Sequence, residues 1–212
     1  MNYEEVLKLL EKEYPGKAVV KFDNPFKVLI STILSQRTKD VNTEKASKKL
    51  FSKFTTPKQI LEARVEEVED LIKSSGFYKV KTRRIKQVSK RLLEDFGGKV
   101  PNSMEGLESL PGVGHKTAAC VMVYGFGEPE IPVDVHVARI SQRLGWTREK
   151  KPEKIRQDLL KKIPKNLWLE LNRLFVRHGQ KKCFATKPRC SDCRMKNYCD
   201  YYERNVRADN KK

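Results

Sequence analysis

Four of the chain's five cysteines fall close together, at Cys183, Cys190, Cys193 and Cys199, in the pattern C-x6-C-x2-C-x5-C. Thiols that dense meet either as disulfides or around a metal, and the rest of the sequence gives no sign of a secreted protein. The N-terminal MNYEEVLKLLEKEY carries acidic residues where a signal peptide has a basic start and an apolar run. No stretch approaches the roughly 18 apolar residues of a membrane span. The chain is therefore expected to stay inside the cell, away from membranes, and the four cysteines to hold metal. Four thiolates satisfy a tetrahedral zinc or an iron-sulfur cluster, and spacing leaves both open. Cys120 stands apart on an apolar helix face and reads as core.

Outside the cysteine segment the pattern is helix after helix, with little period-two alternation, which predicts an all-α protein. Proline and capping residues punctuate it. Asn2 is a candidate cap for a helix ending at Tyr14-Pro15-Gly16, Asn24-Pro25 opens FKVLISTILS, and Thr56-Pro57 opens another. Further helices are predicted over 42–54, 80–96, 104–109, 115–125, 135–144, 153–162 and 167–178. The length of 212 residues suits one compact domain or two small ones, and 38% hydrophobic residues is enough for a core. The stretch FGEPEIPVD, 126–134, is the best candidate for a hinge between two helical lobes. After Tyr202, RNVRADNKK lacks apolar periodicity and is expected to be a flexible tail.

Forty-five Lys and Arg against 27 Asp and Glu leave a net charge of +18, spread along the chain. A polyanion is the expected partner. Nucleic acid fits better than a membrane surface, because no helix pairs a broad apolar face with a dense basic one. The plainer reading is a soluble, highly charged protein from a heat-loving cell.

LPGVGHKTA, 110–118, narrows the choice. Gly112 and Gly114 allow the backbone to approach a ligand, and the open amides of the following helix point outward, as a phosphate site requires. Lys116 sits in that helix's first turn, the electropositive end, where a cation is mildly disfavoured. An ammonium cannot attack carbon, so a place that favours the neutral amine suits a nucleophilic lysine. The bland alternative is a lysine that binds phosphate. Asp134, after Pro132 and before VHVARI, reads as a helix N-cap whose fixed carboxylate is aimed outward.

Taken in order, LPGVGHKTA, VDVHVAR (133–139) and the four cysteines resemble the endonuclease III family of DNA glycosylases. LSQRTKDV (34–41) approximates a further family segment, and the likeness runs over about residues 3–203. The resemblance implies two helical lobes with DNA gripped between them. One, 19–129, is a six-helix barrel ending in a helix-hairpin-helix; the other joins 1–18 to 130–203 around the cysteines, with 204–212 as the tail. It implies a [4Fe-4S] cluster on the four cysteines, Lys116 as catalytic amine and Asp134 as catalytic carboxylate. His136 is left as a neighbour.

The implied activity is base-excision repair: removal of oxidised pyrimidines and cutting 3′ to the abasic site by β-elimination through a lysine Schiff base. The implied partner is double-stranded DNA with damaged bases or abasic sites, bound by a monomer in the cytoplasm with the nucleoid, or in the nucleus or mitochondria of a eukaryote. DNA contacts are expected from Gly112, Gly114, His115, Lys187, Arg189, Arg194 and Lys196. Phe77 aligns with an apolar wedge, against the alternative of a core phenylalanine. The family's gap-filling glutamine aligns with Arg37, leaving Gln36 one residue before it, so that either Gln36 takes the role through a shifted turn or Arg37 fills the gap with its guanidinium. Two rival readings stay open: a monofunctional mismatch or uracil glycosylase, against which Lys116 argues, and a non-catalytic DNA-binding redox module, which gives no reason for Lys116 with Asp134.

Overall fold

The computed structural model describes residues 3–16 and 24–207, and every regular element among them is helical. Asn2, the expected lobe boundary at 18–19 and residues 208–212 of the expected tail lie outside the described residues. The chain divides into two compact units, Val20–Glu128 and Met1–Val19 together with Pro129–Lys212.

The first unit runs through α2 (Pro25–Ser35), α3 (Asp40–Phe51), α4 (Pro57–Glu62), α5 (Val65–Ile72), α6 (Tyr78–Phe96), α7 (Met104–Glu108) and α8 (His115–Val121). That is seven α-helical segments, with only Ala63 and Arg64 between α4 and α5. Local chemistry starts and stops them. The Asn24 carboxamide accepts from Phe26 N at 2.9 Å, and Thr56 with Gln59 forms a full capping box ahead of Pro57. Helix α6 ends at Gly97, φ 58°, a left-handed C-cap. Leu29, Ile30, Ile33 and Leu34 of α2 and Ile85, Val88 and Leu92 of α6 are wholly buried in one core.

Two features depart from the sequence expectation. Helix α5, VEEVEDLI, was not predicted, because Val68 and Ile72 are its only buried residues and four acids hide the period. Its early acids, Glu66 and Glu67, suit the electropositive start of a helix. The helix expected over 115–125 is α only to Val121 and continues as a π-helical turn, Met122–Phe126. Gly125 in that turn lies against Pro25, where a Cβ would stand 3.0 Å from the proline Cα.

The second unit holds α1 (Tyr3–Glu13), α9 (Val135–Arg143), α10 (Pro152–Lys162), α11 (Trp168–Lys181) and α12 (Asp200–Tyr202). Its core contains Leu10, Val137, Ile140, Ile155, Leu159, Leu171 and Phe175, with Trp146 set edge-on to Tyr3 at 4.9 Å and tilted to Phe175 at 5.3 Å. Glu130 pairs with Arg156, and Arg173 ties Glu11 of α1 to Glu170 of α11. The expected hinge is anchored over its second half. Ile131 and Val133 are buried, and Asn172 Nδ2 donates to Pro132 O at 2.8 Å. Residues 203–207, expected in or beside the tail, form a π-helical turn held by Arg204 on Asp200 and Arg207 on Glu203. Such i,i+4 pairs need no apolar periodicity, so the sequence pattern missed them. Among the described residues no helix is long and apolar enough to cross a membrane.

Leu92→Ala should lower the unfolding free energy by about 2–5 kcal/mol, measured in urea, because the side chain is fully enclosed.

Candidate functional site

The glycine-rich hairpin between α7 and α8 is built as its residues require. Gly112 has φ 71°, and a Cβ there would run into the arm of Arg84. Gly114 is the N-cap of α8 and supplies no side chain to it, so the first amides of the helix stay open. Lys116 is exposed in that first turn, while Thr117, Ala118, Ala119 and Cys120 are buried, Cys120 as expected of a core residue. His115 is held back toward α7, its Nδ1 2.5 Å from Glu108 Oε1.

Gln36 joins the turn after α2 to this hairpin. Its Nε2 lies 3.2 Å from Gly112 O and 3.4 Å from Thr117 Oγ1, and its Oε1 accepts from Arg84 Nη1 at 2.9 Å. Both ends of the carboxamide are engaged. Arg37, the next residue, is exposed and takes φ 51°. Phe77 takes φ 58° as N-cap of α6 and is 63% exposed, so it belongs to neither core. Left-handed backbone at a non-glycine residue costs about 1–2 kcal/mol, and two instances face one hollow lined by Gln36, Arg37, Phe77, Val80, Lys81 and Arg84.

Lys81 lies beneath that hollow, almost fully buried. No sequence pattern sets it apart from the basic residues around it. Its ammonium donates to Leu34 O, Thr38 Oγ1 and Ser75 Oγ at 2.6, 2.7 and 2.9 Å. Burial, and secondarily the neighbouring Arg84 charge, pushes its pKa down to about 8.

In the second unit Asp134 is the N-cap of α9. Its Oδ1 accepts from His136 N at 2.9 Å and Val137 N at 2.8 Å, so Oδ2 takes no part in the cap. His136 accepts from Arg139 at 2.9 Å and packs against Gly179, where any Cβ would strike its ring. Burial holds the His136 imidazole below its ordinary pKa, and Arg139 adds to that while Asp134 opposes it.

The four clustered cysteines are all free thiols, and they line one cavity walled by Ile140, Leu144, Pro188 and Met195. Burial pushes the Cys193 thiol up to about 11 and raises Cys190 and Cys199, with neighbouring thiolates adding to it. Among the described residues no three His, Cys, Asp or Glu side chains already stand in metal-binding geometry. The donor set is nevertheless right for a soft metal centre: sulfur ligands, an apolar wall, and donors around the rim. Two of those donors were missed in the sequence. Arg139 Nε donates to Cys183 O at 3.1 Å, and Arg143 Nη1 lies 3.1 Å from Cys183 Sγ and 2.7 Å from Phe184 O. Their four-residue spacing on α9 was the available signal. Lys187, Arg189 and Arg194 are exposed on the cysteine segment, whereas Lys196 is half-buried and donates to Ser191 O at 3.2 Å.

Residues 30–165 match the HhH-GPD superfamily of base excision DNA repair proteins. The chain is 46% identical to endonuclease III of Thermotoga maritima over 206 residues, 97% of this chain and 96% of that one. It belongs to the endonuclease III family. A trapped covalent intermediate of endonuclease III with DNA, in an estranged-adenine complex, superposes with a TM-score of 0.83 at 35% identity over 93% of both chains. A thermostable thymine-DNA glycosylase superposes almost as well, with a TM-score of 0.82 at 25% identity over 93% of both chains. Backbone shape therefore does not separate an endonuclease III from a thymine-DNA glycosylase, and the side chains have to.

Gly112→Ala should destabilise the protein by about 1–2 kcal/mol in urea unfolding, since alanine is strained at that φ and displaces Arg84 from Gln36.

Proposed function

We propose that the chain is a base-excision repair DNA glycosylase with abasic-site lyase activity, acting as a monomer on double-stranded DNA that carries oxidised pyrimidines or abasic sites. The observation that carries it is Lys116, exposed at the open start of α8 directly after the glycine hairpin, in a chain of this family. Phosphates flanking the lesion bind the open amides around Gly114 and His115. The Lys116 amine attacks the sugar carbon that bears the base, and the base leaves. The resulting Schiff base acidifies the adjacent sugar carbon, and loss of its proton expels the 3′ phosphate by β-elimination. Asp134, fixed by its cap, presents carboxylate charge to the cation that develops on the sugar. The work is that of a cytoplasmic protein at the nucleoid.

Base removal requires the damaged nucleotide to leave the stack, and the hole must be filled. Phe77, exposed and held at positive φ, supports a role as the apolar wedge. Gln36 is engaged at both ends of its carboxamide, which favours Arg37 as the gap-filling residue. A guanidinium fork matches guanine best, so lesions opposite guanine are the expected preference. Single-turnover rates with one lesion opposite each of the four bases check this; a flat profile, or one altered only by Gln36→Ala, removes Arg37 from the role.

Cys183, Cys190, Cys193 and Cys199 would hold a [4Fe-4S] cluster. When bound it supplies structural cross-linking of the segment that displays Lys187, Arg189 and Arg194 to phosphates, with Lys196 held to Ser191 O beside them. Anaerobically purified protein should be yellow-brown with about four irons per chain; one zinc and no iron would refute it. Removing the metal should weaken DNA binding before it alters the chemical step.

Lys116→Gln should abolish cutting of thymine-glycol and abasic duplexes while DNA affinity stays within a few-fold, because one charge among many phosphate contacts is a modest loss. Asp134→Asn keeps an oxygen for the cap and should bind normally with a much reduced single-turnover rate. Parallel loss of binding and cutting in Lys116→Gln would mark the lysine as a phosphate contact only.

A further inference from the structure

The two left-handed turns that carry Arg37 and Phe77 share one anchor. An ammonium has three protons to donate, and Lys81 spends all three on neutral oxygens from three places: Leu34 O at the end of α2, Thr38 Oγ1 beside Arg37, and Ser75 Oγ two residues before Phe77. The same oxygens bind one another's segments. Ser75 Oγ donates to Leu34 O at 2.9 Å, and Gly76 N donates to Thr38 Oγ1 at 3.0 Å. Gly76 itself is pressed against the Arg37 turn, with room for a Cβ only 3.0 Å from Arg37 O. The residues beside the two turns, Thr38 and Ser75, are thus bonded to one and the same ammonium.

A buried cation without a carboxylate is an expensive way to pack a core, since an apolar side chain of the same length would fill the space without the desolvation cost. What the ammonium adds is a fixed relation between two strained turns. Side chains that enter a duplex from mobile loops lose conformational freedom on binding, and a preset arrangement removes that loss.

We propose that Lys81 is a positioning residue for base extrusion: its ammonium locks the Arg37 turn to the Phe77 turn so that both side chains enter the duplex as one rigid unit. This rests on the reading that Arg37 and Phe77 enter the DNA. Lys81 itself touches no DNA and takes no part in the chemistry at the sugar.

The test compares Lys81→Met, Arg37→Ala and Phe77→Ala with the wild type on two substrates. One is a duplex with an intact thymine glycol, which must be extruded; the other is a single strand with an abasic site, which need not be. Lys81→Met should slow excision from the duplex by about tenfold, the worth of a lost hydrogen bond to a charged group, and leave cutting of the single strand unchanged. Stopped-flow fluorescence of a 2-aminopurine next to the lesion should show the slowed step to be unstacking. Combined with Phe77→Ala, Lys81→Met should add little, because both act on that step. Should Lys81→Met fail to fold, Thr38→Val, which keeps the ammonium but removes one of its three acceptors together with the bond from Gly76 N, should give the same pattern more weakly. Equal slowing on both substrates would make Lys81 merely structural and overturn the proposal, as would wild-type rates on both while Phe77→Ala is slow. Wild-type rates for both Arg37→Ala and Phe77→Ala would instead locate the failure in the wedge reading, and the proposal would fall with it.

Discussion

The conformation of Gly112 is the constraint on which the proposed DNA-facing side of the first unit depends. Its positive φ turns the chain from α7 into α8, and its missing side chain leaves room for Arg84 to come in from α6. Arg84 holds Gln36, and Gln36 reaches back to Gly112 O. The loop closes. Through it the end of α2, the start of α6 and the hairpin of Lys116 form one connected polar layer, lying over a core built from the apolar faces of the same helices. Such a layer defines where each charged side chain stands, which an apolar core alone does not do.

The second unit follows the same logic around a different centre. Helix α9 presents Asp134 at its start, while Arg139 and Arg143 further along it grip the segment of Cys183. A single nine-residue helix thus ties the proposed carboxylate to the cysteine cavity. The stacking of Arg143 on Tyr201, at 4.5 Å, extends that hold to α12. It supports a structural role for the proposed cluster: what the cysteines would organise is the surface charge of the loop and its attachment to α9.

Much of this was legible in the sequence because it is written in local chemistry. Asn24-Pro25, Thr56-Pro57, the glycines of the hairpin and Asp134 before VHVARI all act on neighbours within a few residues, and the helices start and turn where they indicate. Lys81 was not legible. In KVKTRR it looks like one basic residue among Lys79, Arg83 and Arg84, and its principal acceptor lies 47 positions away. Helix α5 was hidden by its acids, and the π-turn after Val121 by apolar residues that suit an α-helix equally. The fold was announced by short-range signals, while the tuning of its surface comes from long-range polar contacts with no periodicity to read.

Everything proposed for the chemistry turns on the hairpin lysine as the nucleophile. Incubating the protein with an abasic duplex, reducing with borohydride and mapping the adduct by peptide mass spectrometry tests it at the level of a single atom. One DNA-bearing peptide is expected, modified at Lys116. An adduct on any other amine, the buried Lys81 or the N-terminus included, or no adduct while the strand is still cut, would contradict it.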